Sequence, residues 1–193
     1  MGPTMKEFIK KLARILLGEY SLYRIYASPT ASSSAPTQSA GSTHQVEPID
    51  AFELNSSTEQ FAREQSGYAG PGSHAYACLD HDHIVGVCLY WHGARYLTRN
   101  FWPLQDGEAK LVQVIVQPEM RGRGIASALI EQSWRDMQSK GFVKSYARIW
   151  HSNDPSIRAF THAGWSEISH VLEINPFRRS RPMRLSVDTK RPR

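Results

Sequence analysis

The pattern of apolar and polar positions is clearest over residues 111–127, LVQVIVQPEMRGRGIAS. Leu111, Val112, Val114, Ile115 and Val116 are aliphatic, uncharged and nearly continuous, which predicts a strand buried on both faces. Pro118 ends it, because proline has no amide hydrogen to give to a sheet. Ile125, Ala128, Leu129 and Trp134 then recur at helical spacing, and Lys140 and Gly141 supply a basic last turn and a stop, so a helix is expected over residues 125–140. Residues 142–150 read as the next strand, residues 165–174 as another and residues 184–187 as a short last one. Asp154 followed by Pro155 predicts a further helix start, with Asp154 as the cap and proline at the first helical position.

Upstream the pattern is less regular. Residues 6–20, KEFIKKLARILLGEY, place Phe8, Ile9, Leu12, Ile15, Leu16 and Leu17 along one broad face and Lys6, Lys10, Lys11 and Arg14 around the other. A basic amphipathic helix of this kind either lies on an anionic membrane surface or packs on its own domain or on a second subunit, and surface helices of globular domains are amphipathic by default. Residues 21–27 can form a first strand. Residues 28–43 fall into Ser, Ala, Thr, Pro and Gly, a composition that cannot bury enough to fold and reads as a flexible loop or linker. A helix capped by Ser56 or Ser57 is expected to run towards Gln65, with Gly67 and Gly70-Pro71-Gly72 breaking the pattern. Residues 76–79 and 84–91 predict a hairpin around Asp80-His81-Asp82-His83. Adjacent side chains in such a turn rarely converge on one ion without partners elsewhere, so no metal is expected.

Composition adjusts this picture in three ways. A chain of 193 residues with 40% hydrophobic content is long enough for one domain with a sizeable core. That domain is expected over residues 47–177, after an N-terminal segment 1–27 and a linker 28–46, and before a basic segment 178–193. The pI of about 9.3 suggests nucleic acid, but residues 1–24 carry +3 and residues 178–193 carry +6 of a total of +5, so the remaining residues sum to −4. Basicity belongs to the ends, which argues against a nucleic-acid-binding centre. Cys78 and Cys88 are too few for a secreted disulfide scaffold, and reduced buried thiols are expected. With no run of 18 apolar residues and no visible signal peptide, a cytoplasmic protein is expected, with residues 6–20 as the segment for any peripheral contact with the inner membrane face.

The chemistry begins at Gly122 and Gly124. Two glycines just before a helix let a backbone approach a ligand closely, and the free amides of the first turn point at whatever sits there, for which a diphosphate is the natural guest. The dinucleotide fingerprint G-x-G-x-x-G fails at Ser127, and a nucleoside-triphosphate loop fails because no Gly-Lys-Ser/Thr follows. Arg121-x-x-Gly124-x-Ala126 resembles the R/Q-x-x-G-x-G/A signature of the GNAT superfamily of acyl-CoA N-acyltransferases, and Val116, Pro118, Asn153, Ser156, Phe160 and Gly164-Trp165 follow that superfamily's order around it. The resemblance is specific over residues 111–168 and vague outside them.

The resemblance implies an α/β (α+β) fold, with a mixed, mostly antiparallel twisted sheet flanked by helices and central strands that splay apart. It implies acetyl-CoA as acyl donor, with no metal. Amides around Val114, Ile115 and Val116 would bind the pantetheine arm and polarise the thioester carbonyl. Arg121, Gly122, Arg123, Gly124, Ile125 and Ala126 would grip the pyrophosphate, and Asn153 and Ser156 would flank the arm. Two positions depart from the family pattern. Phe160 stands where many members carry a tyrosine acid, and Val112 and Gln113 occupy the stretch where many carry a glutamate. Glu108 and His151 are the nearest titratable candidates, and imidazole titrates in the useful range.

The expected activity is direct transfer of acetyl to a primary amine without a covalent enzyme intermediate, since no cysteine or serine sits in a nucleophile constellation. The acceptor stays open between an amino sugar, a small amine and a protein amine. Aromatics interleaved with Arg95 and Arg99 in residues 92–106 fit an anionic or sugar-bearing acceptor, an interdigitating loop or a homodimer contact. The competing expectation is a non-catalytic acyl-CoA-binding module of the same fold, either free or attached to a membrane surface.

Overall fold

The computed structural model describes residues 19–30, 44–97, 101–175 and 183–188. Residues 6–18 of the expected N-terminal helix, residues 31–43 of the expected linker, Arg99 and most of the basic C-terminal segment lie outside the described residues. Eight strands, β1 (Glu19–Ala27), β2 (Gln45–Ile49), β3 (Ser73–Asp80), β4 (His83–Trp91), β5 (Glu108–Val116), β6 (Lys144–Trp150), β7 (Ser166–Asn175) and β8 (Met183–Asp188), form one sheet in the order β2-β3-β4-β5-β6-β1-β7-β8. Among the described strands only the β5–β6 pair runs parallel. The helices among the described residues are α1 (Ala51–Ser56), α2 (Gln60–Arg63), α3 (Gly93–Leu97), α4 (Ile125–Ser139) and α5 (Asp154–His162). This is the mixed, mostly antiparallel sheet with flanking helices that the sequence implies. No described helix is long and apolar enough to cross a membrane.

Two layers of side chains hold the sheet. Leu129, Ile130, Trp134 and Met137 of α4 pack with Phe160 and Trp165 against Cys88, Tyr90, Leu111 and Ala147 on one face. Leu54 of α1 and Ala62 of α2 close the other face over Val87 and Leu89. Each fully buried side chain of leucine size contributes roughly 1.5–3 kcal/mol. Gly86 sets how closely α4 lies on β4, because a Cβ there would meet Leu129 Cδ1 at 2.9 Å and Ile125 Cγ2 at 3.1 Å. At the far end of α4, the Tyr76 hydroxyl donates to Asp136 Oδ2 at 2.7 Å, and Lys140 pairs with the same carboxylate.

The first described strand is interior. Tyr23 to Ala27 pair with β6, and Glu19 to Ala27 with β7, so β1 joins two strands far away in sequence. Tyr23, Ile25, Tyr26 and Ala27 are buried there. Ser28 extends the β6 ladder, its amide donating to the Ser145 carbonyl at 2.8 Å and its hydroxyl accepting from the Ser145 amide at 2.9 Å. Glu19 and Tyr20, expected at the end of a helix, therefore belong to a strand.

Other differences have local causes. β2 is absent from the sequence reading because Glu47 and Pro48 break an apolar pattern, yet proline is tolerated on an edge strand. The helix expected from Ser56 or Ser57 starts earlier, at Ala51, where Asp50 and Glu53 form a reciprocal capping box, and Ser57 instead accepts from the Glu59 amide between α1 and α2. Asn153, not Asp154, caps α5, its side chain accepting from the Ser156 amide. The hairpin is as expected, with His81 and Asp82 at positive φ forming a tight two-residue turn. Cys78 and Cys88 are buried and unbridged, and burial pushes their thiols up to about 11 and about 12. Both are protonated at neutral pH.

Candidate active site

β5 and β6 separate where the site begins. Their parallel pairing covers only Glu108 to Leu111 against Lys144 to Ala147. On its other side β5 slips register against β4: Tyr90 faces Leu111 and Leu89 faces Gln113, leaving Val112 unmatched. The bulge turns β5 away from β6, so Val112 to Ile115 are only partly buried rather than covered on both faces as expected. Beyond Leu111 the β6-facing edge of β5 has no partner strand, and its polar backbone groups face a groove.

That groove passes through the sheet. A cavity of about 720 Å³ lies on the side of α4 and α5, and one of about 580 Å³ lies on the opposite side, next to Phe101, Arg148 and Trp150. Val114, Asn153, Ser156 and Phe160 line both, so the two halves meet at the splay.

The loop after β5 shapes the first half. Pro118 opens a short 3-10 turn, and Arg121 Nε donates back to the Val116 carbonyl at 3.3 Å. Gly122 and Gly124 then adopt φ of 79° and 80°, where an L side chain costs roughly 1–2 kcal/mol. A Cβ on either would meet nothing within 4 Å, so backbone conformation rather than crowding demands glycine. Gly124 caps α4 without a side chain, and the first bond into the helix runs from the Ala128 amide to the Gly124 carbonyl. The amides of Ile125, Ala126 and Ser127 are therefore open at the positive end of a 15-residue helix.

Of the residues singled out in the sequence, Val114, Ile115, Val116, Arg121, Gly122, Gly124, Ile125, Ala126, Asn153 and Ser156 all line this cavity. Arg123 does not; it is exposed, and its carbonyl meets His44 Nε2 at 3.2 Å. Arg158 and His162 on α5 also line it, and were missed because their helical spacing carries no signal without the partner loop across the groove.

The two candidate proton carriers lie elsewhere. His151 is exposed; its Nδ1 donates to the Leu22 carbonyl at 3.1 Å, and it lines neither half. Glu108 accepts from the Tyr146 hydroxyl at 3.0 Å and from the Gln105 amide at 2.8 Å, in a separate pocket shared with His92 and Phe142. Phe160 does face the groove, though only 4% of it is exposed and its ring packs edge-on against Trp165. In the second half, Tyr68 is the lining residue that carries a phenol, beside a Gln113 whose amide donates to Gln65 Oε1 at 2.8 Å.

A strand that leaves its neighbour, a glycine-started helix aimed at the gap and a groove between the splayed strands are the arrangement that the resemblance to the GNAT superfamily implies. Residues 41–165 match the model of the acetyltransferase (GNAT) family, and the chain belongs to that family. A GNAT-family acetyltransferase from Novosphingobium aromaticivorans shares the fold with a TM-score of 0.51 at 16% identity, over 81% of this chain and 64% of that one. One from Colwellia psychrerythraea gives 0.56 at 15% identity, over 89% and 62%. A GCN5-related N-acetyltransferase from Sphaerobacter thermophilus gives 0.54 at 17% identity, over 88% and 56%. The chain thus spans less than two thirds of each of these proteins, and identities this low carry the fold alone. No curated protein matches the sequence.

Proposed function

We propose that the protein is an N-acetyltransferase that moves acetyl from acetyl-CoA directly to a primary amine. The observation that carries this is the groove through the sheet, with an unpaired β5 edge at its middle and open helix amides at one mouth. The coenzyme diphosphate sits at Arg121, Gly122, Gly124 and the first turn of α4, where free amides and the helix dipole favour an anion. The pantetheine arm runs along Val114 to Val116, flanked by Asn153 and Ser156, and brings the thioester to the point where the two halves meet. A neutral amine from the other half attacks the carbonyl; the C–N bond forms, the C–S bond breaks, the amine loses a proton and the thiolate gains one. Backbone donors on β5 stabilise the developing oxyanion, and positioning supplies much of the rate.

Proton transfer falls to Tyr68, which lines the acceptor half, rather than to His151 or Glu108. Substituting His151→Ala or Glu108→Gln is expected to keep kcat within about threefold, whereas Tyr68→Phe should lose tenfold or more, since positioned acid–base groups contribute about 10²–10⁴-fold. Steady-state release of free coenzyme A with an accepted amine checks this. A hundredfold loss in either of the first two variants would reassign the role. The competing function is a coenzyme-binding module without turnover, favoured by Phe160 at the place where the family usually carries a tyrosine. Binding of acetyl-CoA with no acetylated product from any amine would select that module.

A further inference from the structure

The charge pattern of the acceptor half narrows the amine it takes. Arg148, on β6, holds its guanidinium 5.1 Å from the ring centroid of Tyr23, 5.2 Å from Phe101 and 5.6 Å from Trp150. Among the described residues it has no carboxylate partner and no hydrogen bond, so its donors remain open beside these three rings. Arg184 lines the same half, with its Nε on Glu173 Oε2 at 2.7 Å. No Asp or Glu is among the described residues that line this half. The nearby Lys110, which shares the Phe101 ring with Arg148, is held well below the usual lysine range by burial and then by the Arg148 and Arg184 charges, a sign of positive potential here.

These features have a chemical complement. A planar guanidinium receives a carboxylate or phosphate through two parallel hydrogen bonds, and exposed Trp150 offers a face to the rest of a small molecule. A second ammonium group in the same place would meet two guanidinium groups, with Glu173 already engaged by Arg184. The volume of about 580 Å³ suits a small-molecule acceptor. We infer that the acceptor is a primary amine that also bears a carboxylate or phosphate group, held by Arg148 with Arg184 beside it, and not a polycationic amine. This rests on the N-acetyltransferase function proposed above.

The test uses the full chain, first titrated with acetyl-CoA by calorimetry and then assayed for coenzyme A release. Three sets of primary amines are compared: amino acids with their carboxamides, amino-sugar phosphates with the parent amino sugars, and polyamines with aminoglycosides. The expected result is turnover of a carboxylate or phosphate member, with kcat/KM at least tenfold above its uncharged counterpart; which set responds identifies the anion. Arg148→Gln should raise KM for that member at least tenfold and narrow the gap to the counterpart, while acetyl-CoA affinity stays within about twofold. Arg184→Gln should act in the same direction more weakly, because Glu173 already shares its charge. A best acceptor that is neutral or polycationic, an unchanged gap in Arg148→Gln, or acetyl-CoA binding with no anionic member accepted would each overturn the inference. Absence of acetyl-CoA binding by the native chain would instead overturn the acetyltransferase function on which it rests.

Discussion

A chain that begins at residue 41, where the family match starts, is expected to fail to fold, although it keeps the whole glycine-rich loop and both helices of the site. It lacks β1, and with it the strand that joins β6 to β7. Tyr23, Ile25 and Tyr26 are lost from the interior, at roughly 1.5–3 kcal/mol each, together with two ladders of backbone hydrogen bonds. The sum rivals the about 5–15 kcal/mol by which a domain is stable at all. It also leaves β6 and β7 with open edges that invite association. Circular dichroism and size-exclusion chromatography of residues 41–193 should show aggregate or unfolded chain. A soluble monomer that unfolds cooperatively would show that β1 is dispensable.

The second large effect runs in the opposite direction. Lys110 is fully buried on β5, and burial, reinforced by the Arg148 and Arg184 charges, pulls its ammonium down to about 5. Its Nζ donates to the Tyr96 hydroxyl at 2.6 Å, and that oxygen also donates to the Trp102 carbonyl and accepts from the Phe101 and Trp102 amides. Lys110→Met therefore strands no polar atom, and methionine follows the same unbranched path. In the unfolded chain the ammonium titrates near the ordinary lysine value of about 10.4. The folded value is depressed, so between pH 5 and about 10.4 the unfolded state holds the extra proton and stability rises with pH, by up to about 1.4 kcal/mol per unit. The penalty is complete below pH 5 and gone above the unfolded value. At pH 7 its removal is worth on the order of a few kcal/mol. Lys110→Met should thus raise the midpoint of denaturant unfolding at pH 7, by an amount that shrinks towards pH 9.5. A lower midpoint at pH 7, or a gap independent of pH, would mean that Lys110 is charged and compensated in the fold.

What the sequence reveals and what it hides divide along physical lines. The strand, loop and helix of residues 111–139 were legible because their signals are local: apolar continuity, Pro118, two glycines and helical spacing all lie within about thirty residues. The place of β1 was not legible, since its pairing with β6 and β7 is set by contacts more than a hundred residues away. The same limit explains the proton carriers. His151 and Glu108 lie at the ends of strands beside the site, and only the fold shows that one turns to Leu22 and the other to Tyr146. Tyr68 and Arg148 sit in segments with no motif; each gains meaning from the groove that brings it opposite β5. Asn153 was legible as a position but not as a cap, because Asp154 and Asn153 are equally good caps by type and only the backbone bend at Asn153 decides between them.

The measurement that tests the central claim most directly is calorimetric titration of the native chain and of Gly124→Val with acetyl-CoA. Valine at a φ of 80° strains the turn that leads into α4 and presents the free amides. Saturable binding by the native chain, weakened at least tenfold in a variant whose circular dichroism is unchanged, is the predicted result. No binding by the native chain, or undiminished binding by the variant, would contradict a coenzyme site at Arg121, Gly122, Gly124 and the first turn of α4.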